Sequence, residues 1–188
     1  MKIQMKDVRA AFVNVFEAKA VQGQGEAKFS MTMLFPKDHP QKAEFERAIV
    51  TAAKDKWGEK AQAMLQQLKA GDKLCLHDGD AKANYQGFAG QLYVNASNKM
   101  RPLVIAGDRQ PLTAADGKPY PGCYVNCIVE VWAQDNQFGK RVNASLLGVQ
   151  FVRDGERLAG GGVAAADDFE ALPGAATASA DGAAALFQ

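Results

Sequence analysis

The strongest constraint on the fold is a strict alternation of side-chain character over residues 122 to 133. One parity carries small or β-branched apolar residues, namely Cys123, Val125, Cys127, Val129 and Val131. The other parity carries Tyr124, Asn126, Ile128, Glu130 and Trp132. A period of two is typical of a β-strand with one buried face. We therefore predict a strand here, with its first set of residues pointing into a core.

The same pattern, less cleanly kept, predicts four further strands at residues 6 to 16, 27 to 35, 88 to 97 and 141 to 153. Between the second and third of these, apolar residues recur every three to four positions until Gly71, with a break at Gly58. That spacing predicts two consecutive helices. A mainly β domain with one helical insertion follows, and it is compatible with a small five-stranded Greek-key barrel.

Composition divides the chain at about residue 158. Residues 159 to 188 contain 12 Ala and 5 Gly, which predicts a flexible, disordered tail. All 22 basic residues but only 17 of the 21 acidic ones precede this tail, so the two parts carry +5 and −4. Within the tail, Asp167, Asp168, Phe169 and Glu170 combine acids with an aromatic ring, a composition typical of a docking segment. The final residues, Leu186-Phe187-Gln188, resemble a protease-tag remnant.

Several classes of protein are disfavoured by what the sequence lacks. It has no apolar run of about 18 residues and no signal-peptide pattern, so we expect a cytoplasmic protein without a membrane partner. Its three cysteines, Cys75, Cys123 and Cys127, should stay reduced there. The nucleotide-binding and hydrolase motifs are absent, and we predict no cofactor and no enzymatic activity.

Two metal sites can be drawn from the sequence, and each has a simpler explanation. Zinc could take Cys75, His77, Cys123 and Cys127, but the last two belong to the apolar parity of a strand, where free cysteines behave as small hydrophobes. Asp72, Asp78 and Asp80 could hold a hard cation, as in a metal-dependent nuclease, but acids flanking Gly79 are typical of a solvated turn. We predict no resident metal.

The positive signal is the interleaving of rings and cations on the polar strand faces. Candidates for stacking are Tyr93, Tyr124 and Trp132, and candidates for phosphate contact are Arg9, Lys28, Lys99, Arg101, Lys140 and Arg141. Cations track phosphates, and unpaired bases stack on rings at roughly 1 to 3 kcal/mol per base, whereas a duplex hides its base faces. The alternative is that Tyr124 and Trp132 cover an edge or a helix and the charges form a solvated face. We assign Phe12, Phe29 and Phe88 to core packing.

Several segments together resemble one family, the phage-encoded single-stranded DNA-binding proteins with an oligonucleotide-binding barrel. The resemblance runs from about Val8 to Leu172. The segments that carry it are Phe12-Val13-Asn14-Val15-Phe16-Glu17-Ala18-Lys19-Ala20, Lys28-Phe29-Ser30-Met31, Phe35-Pro36-Lys37, Asp78-Gly79-Asp80, Tyr93-Val94-Asn95-Ala96-Ser97, Arg101-Pro102, Pro121-Gly122-Cys123-Tyr124-Val125, Gly148-Val149-Gln150-Phe151-Val152-Arg153-Asp154-Gly155 and Asp167-Asp168-Phe169.

This resemblance implies a barrel that coats single-stranded DNA during phage replication or recombination, with an acidic tail that recruits replication proteins. It also implies DNA contacts at Lys28, Tyr93, Asn95, Lys99, Arg101 and Tyr124. Two features depart from the family pattern. The tail continues for 18 residues beyond Glu170, and the basic excess is modest.

Other functions stay open at the level of sequence. The same rings and cations would accept unpaired RNA, so an RNA-binding or RNA-annealing protein is an alternative. A metal-dependent nuclease built on Asp72, Asp78 and Asp80, or a scaffold that binds protein alone, are further alternatives. The chain is also compatible with a homo-oligomer.

Overall fold

The computed structural model describes residues 1–21 and 24–158. The predicted tail, residues 159 to 188, lies outside the described residues, and so do its docking residues Asp167, Asp168, Phe169 and Glu170. Within the described part of the chain, no helix combines the length and apolarity needed to cross a membrane.

The described residues form seven strands and two helices. The strands are β1 (Lys2–Val21), β2 (Gln24–Pro36), β3 (Leu76–Asp78), β4 (Gln91–Asn98), β5 (Leu103–Ile105), β6 (Tyr124–Asn136) and β7 (Gly139–Arg153). The helices are α1 (Lys42–Trp57) and α2 (Ala61–Ala70), separated by a single 3₁₀ turn at Gly58–Lys60. The five predicted strands and the two helices are all present.

Five of the strands close into a barrel in the order β1, β2, β4, β7, β6 and back to β1. All neighbours are antiparallel except β4 and β7, which run parallel where Ala96 meets Ala144. The Asn98 side-chain amide donates to the Leu146 carbonyl across this seam at 3.2 Å. β3 and β5 pair with the remaining edges of β4 and β7. This is the Greek-key order of an OB-fold, so the predicted barrel is confirmed.

The alternation in residues 122 to 133 has the predicted result. The apolar parity of this segment is buried throughout, with Cys123, Val125, Val129 and Val131 fully inaccessible and Cys127 1% exposed. These residues join inward-facing residues of the other strands in one core. Burial also raises the pKa of all three thiols, that of Cys75 to about 12, so the cysteines remain neutral packing groups.

The helical insertion lies between β2 and β3, and α1 packs against β6. The buried face of α1 consists of Phe45, Ala48, Ile49, Ala52 and Ala53, whose i, i+3, i+4, i+7, i+8 spacing places them on one side of the helix. At its end, the Trp57 indole N–H donates to Asp135 at 2.9 Å. This bond ties the insertion to the β6–β7 hairpin and holds the pKa of Asp135 below its ordinary value.

A second, smaller group of buried residues lies on the outside of the barrel. We call it the outer cluster; it consists of Ala11, Leu34, Phe88, Tyr93 and Leu158. The segment between β3 and β4 supplies Phe88, and the chain beyond β7 supplies Leu158. These two segments therefore cover one half of the outer face of β2 and β4 and leave the other half open.

Candidate nucleic-acid interface

A groove of about 650 Å³ lies at the open half of the barrel's outer face, and we call it the Trp132 groove. β2 contributes Lys28 to its lining, and β4 contributes Asn95, Ser97, Asn98 and the following Lys99. The rest of the lining is Trp132 and Gln134 of β6, residues 141 to 145 of β7, His77 of β3 and residues 72 to 75 before β3. In an OB-fold, the second and third barrel strands and the loops between strands 1–2 and 4–5 bind oligonucleotides. Here those strands are β2 and β4, so the groove coincides with that face.

Hydrogen bonds fix the polar lining of the groove on its β6–β7 side. The Trp132 indole N–H donates to the Ser145 hydroxyl at 2.9 Å, which orients the ring while leaving 40% of the residue exposed. The Asn143 amide donates to Gln134, and Gln134 in turn donates to Asn136. An oriented, accessible indole is a preorganised surface for stacking a flat ring.

The groove is cationic, and most of its cations are free of carboxylates. Among residues 1–21 and 24–158, Lys28, Lys73 and Arg141 form no ion pair. Lys99 contacts Glu26 at 2.7 Å, but both side chains are more than half exposed, so this pair is easily exchanged for another anion. The groove's one carboxylate, Asp72, lies 2.7 Å from His77.

A second concavity of about 890 Å³, the Tyr124 cleft, contains two more predicted residues. Arg9 and Tyr124 line it together with Lys6, Asp7, Leu34, His39, Gln41 and Gln91 among others. The Arg153 guanidinium lies 3.5 Å from the Tyr124 ring centroid and also pairs with Asp7 at 3.1 Å. One face of the Tyr124 ring is therefore already occupied by a cation of the same chain.

The Arg9 side chain is likewise occupied by groups of the same chain. Its guanidinium donates to the carbonyls of Gly122 and Glu156 at 3.3 and 2.8 Å, and so holds the chain beyond β7 against the barrel. Gly122 has a φ of 106°, and a Cβ there would collide with the Glu156 carbonyl. Close packing of this segment explains why glycine is needed, and it makes Arg9 a structural cation in this chain.

Tyr93 lies on the outer face of the barrel, as its parity predicts, but it is covered there by other residues. The prediction placed its ring on an exposed face, and this is wrong, because the residue is 3% exposed within the outer cluster. His77 stacks on the ring at 4.8 Å, Phe88 contacts it edge-on at 5.3 Å, and the Lys82 ammonium lies 4.9 Å from its centroid. In this structure no face of Tyr93 is open to a base.

The remaining predicted residues divide between the groove and its surroundings. Asn95 lies in the groove, exposed, and accepts a hydrogen bond from the Thr32 hydroxyl at 2.8 Å. Arg101 lies over the Phe16 ring at 5.3 Å, and Lys140 pairs with Asp135 at 3.5 Å. The structure thus brings together Lys28, Asn95, Lys99, Trp132 and Arg141 in one groove, but not Arg9, Tyr93, Arg101, Tyr124 or Lys140.

The carboxylates of the nuclease alternative are engaged by side chains of the protein. The Lys37 ammonium lies 3.0 Å from Asp78 and 2.7 Å from Asp80, and it holds the pKa of Asp80 below its usual value. Asp72 contacts His77 instead. Across the described residues, no three His, Cys, Asp or Glu side chains are grouped as metal ligands would be. A lysine thus lies where a cation shared by Asp78 and Asp80 would bind.

Some groove residues were missed by sequence reasoning. Asn143 and Ser145 alternate with the inward-facing Val142, Ala144 and Leu146. This period of two in residues 141 to 153 could have predicted that both polar residues lie on the outer face. Lys73 gave no such signal, because it lies outside any strand. Its position follows from a tertiary bond in which the Val142 N–H donates to the Lys73 carbonyl at 3.1 Å.

Comparison with known proteins finds relatives over most of the chain. A family model described as the single-stranded DNA-binding protein of Enterobacter phage Enc34 matches residues 1–182. Protein p50 of Acyrthosiphon pisum secondary endosymbiont phage 1 is 47% identical over 175 residues, covering 92% of this chain and 94% of that relative.

Solved structures give the same result. The single-stranded DNA-binding protein of bacteriophage Enc34, in complex with single-stranded DNA, superposes with a TM-score of 0.71 at 26% identity, over 83% of this chain and 88% of that one. A single-stranded DNA-binding protein encoded by bacteriophage T7 has a TM-score of 0.55 at 12% identity, over 95% of this chain and 99% of that one. The second likeness concerns the fold alone.

Proposed function

The chain belongs to the family of phage single-stranded DNA-binding proteins represented by that of Enterobacter phage Enc34, and on this basis we propose that it binds and coats single-stranded DNA without reading its sequence. The observation that carries the proposal is the Trp132 groove. There an accessible indole, 40% exposed, shares a surface with Lys28 and Arg141, two cations without carboxylate partners.

Each component of the groove has a distinct task. Lys28, Lys99 and Arg141 would neutralise phosphates and release the counterions condensed on DNA, which makes the affinity strongly dependent on salt. Trp132 would stack an unpaired base, a contact that every base can make and that salt weakens little. Asn95 would donate or accept hydrogen bonds at the strand's sugars or bases.

Preference for the single strand follows from the ring. In a duplex each base is stacked between its neighbours, so its face is not accessible to Trp132, while the phosphates remain available to the lysines. We therefore expect duplex DNA to bind only through the salt-sensitive electrostatic part.

The acidic tail would regulate this site and recruit partners. Asp167, Asp168 and Glu170 are opposite in charge to the groove and are tethered to it, so their effective concentration there is high. The tail would occupy the groove in the absence of DNA and, once displaced, bind phage or host proteins of replication and recombination. Such a role places the protein in the host cytoplasm, with self-association along the strand as a further property.

The first experiment is a titration of the protein into fluorescent oligo-dT, its duplex form and the matched RNA, followed by anisotropy at low and near-physiological salt without divalent metal. Preferred binding of the single DNA strand, with a component that survives salt, supports the proposal. Equal or tighter RNA binding would favour the RNA alternative, and no binding to any of the three would refute the proposal.

Absence of catalysis is part of the proposal and has its own test. A labelled single strand incubated with the protein and magnesium or manganese should remain intact, because the Lys37 ammonium already contacts both Asp78 and Asp80. Metal-dependent cleavage that persists in an Asp72→Asn variant would point to a contaminant. Cleavage that this variant abolishes would establish a nuclease.

The tail's role is tested by neutralising its charge. An Asp167→Asn/Asp168→Asn/Glu170→Gln variant should bind oligo-dT more tightly at low salt, because competition for the groove is reduced, and the gain should vanish at high salt. Deleting residues 160 to 188 should have the same effect. Unchanged affinity in both proteins would contradict autoinhibition and leave partner recruitment as the tail's proposed task.

A further inference from the structure

A polar strip continues from the Trp132 groove across the outer face of the barrel towards β1. The strip consists of two rows of side chains that are defined by strand pairing. In the first row Asn95 of β4 faces Thr32 of β2, and in the second Ser97 faces Ser30. The next strand continues the second row, since the Asn14 amide reaches the Ser30 hydroxyl at 3.4 Å. Because these polar side chains are short, the strip does not protrude from the surface of the barrel, and we call it the DNA track.

Two aromatic rings stand at the β1 end of this strip. Phe12 and Tyr85 are 43% and 44% exposed, and their ring centroids are 5.6 Å apart at an interplanar angle of 79°. Phe88 lies behind both, 5.9 Å from Phe12 and 5.7 Å from Tyr85. The outer cluster thus contacts one side of the pair and leaves a large part of both rings in solvent. The prediction that Phe12 belongs to the core is therefore wrong.

The backbone at Phe12 is held in an unusual conformation. Its φ is 48°, in the left-handed region that bulky residues rarely adopt. The register of β1 against β2 shifts between Ala11 and Asn14, and the Asn14 amide donates to the Phe12 carbonyl at 3.2 Å. A β-bulge of this kind re-aims one side chain, and here the result is an exposed ring beside Tyr85.

We propose that Phe12 and Tyr85 form a second stacking platform, which takes an unpaired base at the opposite end of the DNA track from Trp132. This inference rests on the proposed function and deepens it, because it gives the site two ends. Four inter-strand steps, from β6 through β7, β4 and β2 to β1, separate the platforms by roughly 19 Å along the surface. That length fits the roughly 4 to 16 nucleotides that one OB-fold binds.

Continuity and charge favour a nucleotide as the occupant. The platform lies on the same outer face as the groove, and the strip between them carries the polar pairs Asn95–Thr32 and Ser97–Ser30. Lys82 belongs to the same loop as Tyr85, since its carbonyl accepts from the Tyr85 N–H at 2.9 Å. Its ammonium lies over the neighbouring Tyr93 ring at 4.9 Å and is free of carboxylate contacts among the described residues. A ring pair flanked by a cation is the combination that single-stranded nucleic acid requires.

Photocrosslinking of the intact protein tests the placement without any mutation. Oligo-dT of about 12 nucleotides, carrying 5-iododeoxyuridine at one position at a time, is irradiated in complex and the attached peptides are identified by mass spectrometry. We expect the label near one end to attach to Phe12 or Tyr85 and the label near the other end to attach to Trp132. Attachment to Trp132 from every position would overturn the second platform and leave the proposed function intact, whereas an oligomer that does not bind at all refutes both.

A pair of variants provides the quantitative test. Phe12→Leu/Tyr85→Leu keeps apolar cover over Phe88 but removes both ring faces, so affinity for a long oligomer should fall about tenfold while affinity for a trimer that fits the groove stays unchanged. Ile128→Ala is the matched control, because Ile128 is 44% exposed and lies on β6 outside this track. Equal affinity of the double variant and the wild-type protein at every length would contradict the platform.

Discussion

The Trp132 groove and the Tyr124 cleft are two concave surfaces of one barrel, and both carry the rings and cations that the sequence associates with DNA. In the larger Tyr124 cleft the predicted ring and the predicted arginine are already engaged, since Arg153 covers Tyr124 and Arg9 bonds two backbone carbonyls. In the smaller Trp132 groove the indole is accessible, and Lys28 and Arg141 have no carboxylate partner among the described residues. The volume of a concavity therefore says less about binding than the unmet interactions of its lining.

This contrast assigns different consequences to similar residues. Removing a group from the groove should weaken DNA binding and leave the fold's stability nearly unchanged. Removing its counterpart from the cleft should destabilise the fold and leave DNA binding nearly unchanged. The first two predictions below each compare one such pair, and the last two concern stability alone.

The largest single effect on binding is expected from Trp132→Ala. Loss of the stacking ring should lower affinity for oligo-dT about tenfold or more, and the loss should persist at high salt because stacking involves no counterions. Anisotropy titrations measure it, with Trp132→Phe as the variant that retains most of the affinity. Tyr124→Ala in the cleft is the matched comparison, and an equal loss there would erase the distinction between the two surfaces.

Arg141→Ala should cause a smaller loss that appears mainly at low salt. One phosphate contact fewer reduces the slope of log K against log salt by about 1. The comparison is Arg153→Ala, which removes a cation that contacts Asp7 and Tyr124 of the cleft. Affinity measured at several salt concentrations should give the wild-type slope for Arg153→Ala, and a reduced slope there would mean that DNA also follows the cleft.

Arg9→Ala should act on stability instead. Its two hydrogen bonds hold the segment beyond β7, so their loss should lower the free energy of unfolding by about 1 to 2 kcal/mol. Urea denaturation followed by fluorescence provides the measurement, and oligo-dT affinity below the midpoint should match the wild-type protein. A variant of unchanged stability that binds DNA poorly would place Arg9 in the DNA site after all.

The smallest expected effect is a change in how the stability of the fold depends on pH. The Tyr120 hydroxyl and then Lys118 hold the pKa of Asp154 below its ordinary value, next to the same segment. A lowered pKa stabilises the folded state above the unfolded value of about 3.9, and this contribution is lost as the pH falls through the folded value. Asp154→Asn should therefore be less stable than wild type at pH 7 and lose less on acidification. Thermal melts of both proteins over a series of pH values provide the measurement, and equal stability at pH 7 would contradict the prediction.

Much of the barrel could be predicted because its signal is local. The parity of Cys127 and Val131 alone determines that both point inward, and both do. Gly58 and Gly71 likewise end the two helices, since α1 stops at Trp57 and α2 at Ala70. Propensity and periodicity act within a few residues, so a single sequence carries them.

The errors arise at residues whose exposure or pairing is determined by residues distant in the sequence. Parity predicts correctly that Tyr93 lies on the outer face. Phe88 and Leu158 bury that part of the face, however, and no local sequence pattern predicts this burial. Phe12 was assigned to the core because parity was assumed to continue, whereas the β1 bulge between Ala11 and Asn14 turns the ring outward. The unpaired state of Arg141 and the engaged state of Arg9 also depend on tertiary contacts.

The central claim is that single-stranded DNA binds in the Trp132 groove and not in the Tyr124 cleft. Its most direct test is to titrate oligo-dT with two double variants side by side, Trp132→Ala/Arg141→Ala in the groove and Arg9→Ala/Tyr124→Ala in the cleft, with folding of both checked by circular dichroism. The account predicts a loss of about 100-fold for the groove variant and wild-type affinity for the folded cleft variant. Wild-type affinity of the groove variant, or an equal loss in both, would contradict it.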